Sequence, residues 1–396
     1  MEPALNPYSP GSGRRPPELV GRTVELEAFD TLVARSRNRL SDRGIVLTGL
    51  RGVGKTVLLN EMQAHAESFD WLCVRIEARR DPEGAVAVRR ALARDLVAAT
   101  RRLKRRGTGD RMKQALRTIT AFSAQVGATG VSLGVTLTPG RADSGDHELD
   151  LLELVEDVSL ALKQDNRAFG LFIDEMQDLD PATLSALIAA QHLAGQRDWP
   201  FYIVAAGLPN LPRVLAEARS YAERLFNYRS IGQLSTPDAS RALEEPAERL
   251  GVVYNAAGLE LLLEAAGGYP YFLQEFGQKA WDLAAVRVIT IEDAQAAVQF
   301  GIEHLDAGFF RSRWERATPS ERRFLLAMSA DHGEASSSAD VAARMGLRIT
   351  SLGPYRANLM AKGLVYAPQH GQIAYTVPGM ADFVDRHRDE LDVSRP

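Results

Sequence analysis

Up to about residue 231, apolar runs of strand length alternate with amphipathic stretches of helix length; after it only the helical spacing remains. Ile45-Val46-Leu47, Trp71 to Glu77, Phe169 to Ile173, Phe201 to Ala206 and Phe226 to Ile231 read as strands. Helical spacing covers Val24 to Arg37, Val57 to Met62, Gly84 to about Leu103, Glu148 to Lys163 and Ala182 to Ala194. Phe169-Gly170-Leu171-Phe172-Ile173 has no polar interruption, as expected of a parallel strand buried on both faces. This alternation predicts an α/β fold built on a three-layer parallel sheet. Beyond Gly232, Asp238 to Leu250, Gly258 to Ala266, Tyr271 to Val286 and Asp293 to Leu305 read as helices without strands, which predicts a smaller helical lid. Thr290 and Asp293 are spaced as a capping box. Thr318-Pro319-Ser320-Glu321 is a second one, with Pro at the first helical position, and it opens a third unit.

In that third unit Phe324, Leu325 and Met328 mark one helix and Val341, Ala342 and Met345 a second. After a turn at Gly346-Leu347, Tyr355, Leu359 and Met360 mark a third, and this is helix-turn-helix spacing. Leu364 to Tyr366 and Ile373 to Val377 form a candidate hairpin. Pro3, Pro7, Pro10, Pro16 and Pro17 lie among Gly, Ser and Arg, a composition that builds no core, so the chain is expected to begin with a flexible arm. The expected division is a 1–18 arm, a 19–232 α/β domain, a 233–310 lid and a 311–396 C-terminal domain. The stretch reaching from the basic run Arg101 to Arg106 up to Gly145 is poorly patterned, apart from a strand-like alternation at Val131 to Leu137.

With 396 residues, 45% of them hydrophobic, the chain suits two or three domains with cores of their own. Lys plus Arg number 47 against 51 Asp plus Glu, so no global charge draws the molecule to nucleic acid, and any such contact must be local. The single cysteine, Cys73, lies in a strand and can form no internal disulfide, which fits a reduced cytoplasm. No apolar run approaches the roughly 18 residues that a bilayer requires, so no membrane is expected among the partners. The histidines have no metal-ligand spacing, which leaves Mg²⁺ as the only metal expected.

The octapeptide Gly49-Leu50-Arg51-Gly52-Val53-Gly54-Lys55-Thr56 stands between a strand and a helix. In that context its glycines let backbone N–H groups curl around phosphate oxygens, and the helix N-terminus adds partial positive charge. The spacing assigns Gly49, Gly52, Val53, Gly54, Lys55 and Thr56 to a nucleoside triphosphate, with the Lys55 amine on the outer phosphates. Thr56 offers a hydroxyl to Mg²⁺, which takes oxygen ligands and retains several waters. Asp174 and Glu175 end a buried strand, where open parallel sheets place ligands. Asp174 suits the water shell of the metal, and Glu175 suits orienting and deprotonating an attacking water.

Gly49 to Thr56 and Phe172-Ile173-Asp174-Glu175 resemble the Walker A and Walker B elements of AAA+ and related STAND-type P-loop ATPases. Leu19-Val20-Gly21-Arg22 resembles the segment lying beside the base in origin-recognition-like and archaeal-type members. The resemblance runs from Leu19 to Leu305 and implies ATP binding and hydrolysis, with Val20 and Gly21 near adenine. It also implies an arginine finger at Arg224, acting in trans within a homo-oligomer. Two departures stand out. The strand ending in Ala206-Gly207-Leu208-Pro209 has Gly207 where many members carry a polar residue, with Asn210 as a weak substitute. Gly267-Gly268-Tyr269-Pro270-Tyr271 replaces a lid arginine and is similar to the Gly-x-Pro element of the archaeal and STAND types, which sets Pro270 at adenine.

The C-terminal unit resembles a winged helix-turn-helix. Arg344, Arg348, Arg356 and Lys362 are the only charged residues from Val341 to Lys362, a pattern suited to phosphate contacts, and Arg348, Ser351 and Arg356 are the candidates for double-stranded DNA. The expectation is an ATP-hydrolysing switch whose winged domain binds DNA. The alternative is a signalling ATPase that uses nucleotide as a latch and the winged domain to dock protein. A small-molecule kinase fits less well, because the acid pair and the helical lid suit attack by water.

Overall fold

A computed structural model of the chain describes residues 1–11, 13–79, 84–103, 110–125 and 141–388. It has two compact units: Thr23–Thr48 with Lys55–Ser230, and Met1–Arg22 with Gly49–Gly54 and Ile231–Pro396. The phosphate-loop segment and residues 19–22 therefore sort with the C-terminal half, whereas the sequence pattern groups them with the α/β domain.

The α/β unit runs α1 (Thr23–Arg37), β1 (Gly44–Thr48), α2 (Lys55–Ser68), β2 (Leu72–Glu77), α3 (Gly84–Leu103), α4 (Asp110–Gln125), α5 (His147–Lys163), β3 (Phe169–Asp174), α6 (Pro181–Gln196), β4 (Phe201–Gly207), α7 (Leu211–Ala218) and β5 (Phe226–Ser230). Its sheet is parallel throughout, in the order β2-β3-β4-β1-β5. The unbroken apolar runs supply the central strands, since β1, β3 and β4 are buried along their whole length. The edge strand β2 alternates between buried and partly exposed positions. Its register sets Glu77 opposite Asp174, so β3 delivers its acids at the sheet's carboxyl end.

Helix α4 corrects the sequence reading, which leaves this segment without structure. Met112, Ala115, Leu116, Ile119 and Phe122 are buried at helical spacing, and between them Thr118 donates to Asp157 at 2.6 Å while Thr120 and Ser123 bond back to the carbonyls of Leu116 and Ile119. The expected strand at Val131 to Leu137 and the run Lys104 to Arg106 lie outside the described residues.

The second unit contains α8 (Thr236–Glu248), β6 (Val253–Tyr254), α9 (Ala256–Ala266), α10 (Pro270–Leu283), β7 (Val288–Ile289) and α11 (Ile291–His304). The short parallel pair β6–β7 departs from the expected all-helical lid. Both capping boxes form: Thr290 with Asp293, and Thr318 with Glu321. Helix α11 passes through a π-helical stretch, Leu305–Phe310, into α12 (Arg311–Glu315), so continuous helix replaces a linker at the expected boundary. There follow α13 (Pro319–Ser329), β8 (Ser336–Ser337), α14 (Ser338–Arg344), α15 (Gly353–Ala361), β9 (Val365–Tyr366), β10 (Gln372–Tyr375) and α16 (Met380–Arg386), with an antiparallel sheet ordered β8-β10-β9.

The expected flexible arm is instead anchored. Tyr8 is 2% exposed; its hydroxyl hydrogen-bonds to the Leu243 carbonyl and lies 2.6 Å from the Tyr254 hydroxyl. Asn6 donates to the Gln278 carbonyl at 3.0 Å, and Trp281 Nε1 to the Glu2 carbonyl at 3.0 Å. A chain too polar to make its own core thus adds side chains to one made by α8 and α10.

Candidate active site

Within the α/β unit, α2 begins at Lys55, which is buried, and continues with Thr56. The Thr56 hydroxyl is hydrogen-bonded to the carboxylate of Asp174, the last residue of β3, and Lys55 acts on that carboxylate electrostatically. Strand β3 and helix α2 thereby bring together three of the side chains singled out by spacing. Asp174 also accepts the Glu175 N–H at 3.0 Å and sits 3.4 Å from an Arg75 guanidinium nitrogen. Burial raises the Asp174 pKa; the Thr56 hydrogen bond opposes that rise, Glu175 adds to it, and Arg75 and Lys55 oppose it. Hard oxygens of a hydroxyl and a carboxylate within hydrogen-bond reach suit Mg²⁺, so the residues present fit that ion. Glu175 takes a left-handed backbone conformation, φ 51° and ψ 42°, at the turn out of β3. Such a conformation in a residue other than glycine is uncommon and persists where surroundings hold it.

In the other unit, the loop Gly49–Gly54 is shaped by close approach and by backbone sign. A Cβ on Gly49 would stand 2.2 Å from the Ile231 carbonyl oxygen, and Gly52 and Gly54 have φ of 89° and 91°. Arg22 is buried and donates to the Val53 carbonyl at 3.0 Å and the Gly232 carbonyl at 2.6 Å. It follows Val20, also buried, and Gly21, and spacing gave it no role. Pro270 occupies the first turn of α10; the next residue, Tyr271, donates its N–H to the Gly52 carbonyl at 3.3 Å. The Arg51 N–H is bonded to the Thr376 carbonyl at 2.9 Å, beyond the end of β10.

Tyr271 also stacks on Phe309 with centroids 4.9 Å apart, and the Arg313 guanidinium lies 3.8 Å from the Phe309 centroid. The Arg313 pKa is pushed down to about 10, first by burial and then by the like charges of Arg51 and Arg316. Neither Arg313 nor its π-helical support gave a signal in the sequence.

Arg224 ends a short 3-10 turn, Ser220–Arg224, before β5; it is exposed and has no hydrogen-bond or ion-pair partner among the described residues. In the C-terminal region, Arg348 and Ser351 are exposed around the 3-10 turn Ile349–Leu352. The other cations that spacing groups with them are engaged inside the fold. Arg344 pairs with both carboxylate oxygens of Asp331 at 2.6 Å, Lys362 reaches Glu321 at 2.5 Å, and Arg356 donates to Ser338 at 3.3 Å and to the Gln372 carbonyl at 3.0 Å. Arg356 thus braces β10, and the expected run of available cations narrows to Arg348. Leu347 and Ile349 are exposed beside it, at 37% and 55%. Among the described residues no His, Cys, Asp and Glu cluster could hold a metal ion, and no helix is long and apolar enough to cross a membrane.

Residues 18–204 match the AAA ATPase domain family, and residues 307–384 match a domain of unknown function (DUF8462). No curated protein matches the chain. Among solved structures, the Walker-type ATPase of Pyrococcus abyssi is 14% identical with a TM-score of 0.59, over 96% of this chain and 99% of that one. The Cdc6p protein of Pyrobaculum aerophilum is 16% identical at 0.45, over 100% and 98%. The ORC1 protein of Aeropyrum pernix, in complex with DNA, is 16% identical at 0.44, over 96% and 95%. The first of these likenesses shows the fold; the other two are too distant to bear on it.

Proposed function

Residues 18–204 make this chain an AAA-type P-loop ATPase, and from that premise we propose that ATP turnover by Lys55, Thr56, Asp174 and Glu175 drives a switch whose C-terminal domain engages double-stranded DNA. The observation that carries the hydrolytic set is the hydrogen bond joining Thr56 on α2 to Asp174 on β3, with Lys55 acting on the same carboxylate. Mg²⁺ supplies neutralisation of phosphate charge when bound, and Thr56 and Asp174 are the oxygens that would hold it. Lys55 binds the outer phosphates, while Gly49, Gly52, Val53 and Gly54 surround them with backbone donors. Glu175 orients the attacking water and takes its proton. Val20, Gly21 and Pro270 are assigned to adenine, which the contact between Tyr271 and Gly52 supports by tying the start of α10 to the phosphate loop. Arg224, exposed and without an internal partner among the described residues, suits insertion into the site of a second copy.

For DNA, support comes from the order α13, β8, α14, α15, β9, β10, which is that of a winged helix-turn-helix, and from exposed Arg348 and Ser351 at its turn. A second reading, a nucleotide latch whose winged domain docks protein, is favoured by one observation: Arg344, Arg356 and Lys362 are engaged, while Leu347 and Ile349 are exposed. The separating experiment measures specific ATPase activity against protein concentration, with and without duplex DNA, and DNA affinity across a salt series. The DNA reading expects binding that weakens steeply with salt, with a log–log slope reduced by about 1 in Arg348→Ala. Absence of binding at low salt would remove DNA and leave the latch.

A further inference from the structure

Gln177 has no part in the reading above, yet it touches the residue on which hydrolysis depends. It lies in the 3-10 turn Met176–Asp178 that follows β3 and is 5% exposed. Its side-chain amide reaches in two directions. Nε2 donates to Glu175 Oε2 at 2.7 Å, and Oε1 accepts the Leu208 N–H at 3.0 Å. The backbone partner can only donate, so it fixes which end of the amide carries oxygen and turns the NH₂ group toward the carboxylate.

The same side chain accounts for the glycine ending β4. A Cβ on Gly207 would come within 2.3 Å of Gln177 Oε1 and 2.7 Å of Leu211 Cδ2. The volume into which a polar side chain at 207 would project is therefore filled by an amide arriving from the neighbouring strand's turn. Strands β3 and β4 are hydrogen-bonded neighbours, and Gln177 links their ends beyond the last paired residues. It connects a backbone amide of one to a carboxylate of the other. Glu175 needs such a hold, because its left-handed backbone conformation would otherwise leave the carboxylate direction weakly determined.

We propose that Gln177 is a positioning residue for hydrolysis: through its amide it sets the direction of the Glu175 carboxylate from the end of β4, doing from the Asp174-Glu175 turn what a polar side chain on the strand would do. This rests on the reading of Glu175 as the group that orients water. A primary amide is suited to the position because it donates and accepts on one rigid plane, and it brings no charge against the carboxylate. Gln177→Glu would set two carboxylates side by side, and like charge raises the pKa of such a pair.

The test uses the full chain with ATP and Mg²⁺. Gln177→Ala should lower kcat by about 10- to 100-fold, within the range ascribed to positioned acid–base groups, and leave ATP affinity within about twofold. Gln177→Glu, which keeps the volume, should move the acid limb of the kcat profile upward by about one pH unit, a change that a purely structural role would not produce. In a Glu175→Gln background, Gln177→Ala should have no further effect, since the group it directs is already inactive. Adding Gly207→Ser to Gln177→Ala should recover several-fold of kcat, because the hydroxyl then enters the vacated volume. If Glu175→Gln abolishes turnover while Gln177→Ala keeps kcat, or loses only ATP affinity, and Gln177→Glu leaves the profile in place, the positioning role is wrong and the hydrolytic reading stands. If Glu175→Gln itself turns over normally, the hydrolytic reading fails first. Should Gln177→Ala not fold, the pH profile of Gln177→Glu decides.

Discussion

Replacing Asp174 by asparagine should move stability in opposite directions with and without ligand. In the ligand-free protein this carboxylate is 7% exposed, and burial raises its pKa. A carboxyl with a higher pKa folded than unfolded favours the folded state only as the acid. As pH climbs from 3.8 to the folded value, the unfolded chain has already lost its proton, so stability declines over that window and stays reduced at neutral pH. Asparagine retains an oxygen for the Thr56 hydroxyl and for the Glu175 N–H, 3.0 Å away, and has no charge to bury. It loses the 3.4 Å contact with Arg75, whose side chain is 30% exposed, and a pair of that kind is worth about 0.5 kcal/mol. Each pKa unit relieved is worth about 1.4 kcal/mol, so relief of more than about half a unit outweighs the lost pair. The ligand-free variant should therefore melt higher, by ~2–4 °C for each kcal/mol in a domain of this size. With ATP and Mg²⁺ at 100 times Kd the unaltered protein gains about 2.7 kcal/mol, and the variant, without its metal oxygen, gains less and falls behind. Calorimetric melting of both proteins at pH 7, with and without ligand, reads both signs. A ligand-free variant that melts lower, or ligand shifts equal in the two proteins, would refute the reasoning.

Glu175→Gln should keep ATP binding and lose turnover by about 10²- to 10⁴-fold, measured as phosphate release beside nucleotide titration; normal phosphate release would remove Glu175 from the mechanism. Arg224→Ala should lower turnover by about 10³-fold or more at concentrations where the protein self-associates, and mixing it with a Glu175→Gln chain should restore activity; activity independent of protein concentration in the unaltered chain argues against a finger acting in trans. Tyr8→Phe removes a hydroxyl that engages the Leu243 carbonyl and the Tyr254 hydroxyl, so denaturant unfolding should show a loss of about 1–3 kcal/mol. An unchanged midpoint would mean that the N-terminal anchor contributes nothing.

What could be read from sequence was local. The octapeptide ending in Thr56 and the acids closing β3 announced themselves because each is short and its role follows from residue type. Helix α4 was missed although its apolar residues keep helical spacing, because buried Thr118, Thr120 and Ser123 interrupt the stripe; their hydroxyls are satisfied by Asp157 and by the helix's own carbonyls. The N-terminal arm was misjudged for the opposite reason. Its composition is that of a loose tail, and the partners of Tyr8 lie more than 200 positions away. Arg344, Arg356 and Lys362 looked available beside Arg348, since nothing in their spacing reveals Asp331, the Gln372 carbonyl or Glu321 as partners. Gln177 and Arg22 were invisible as well, because their roles consist of contacts with backbone atoms that no residue type advertises.

The buried residues along α11 and its continuation fall at Ala294, Ala297, Gly301 and Leu305, and then, after a step of five, at Phe310 and Trp314. That long step is the π-helical stretch, which accommodates one residue more than an α-turn does. Each residue of an α-helix advances the azimuth by about 100°. Shortening the stretch by one, for instance at exposed Ala307, would wind it back to ordinary pitch and swing Phe310 and Trp314 away from the side they now occupy. A change in length at this spot is an angular setting: one codon gained or lost re-aims every residue that follows.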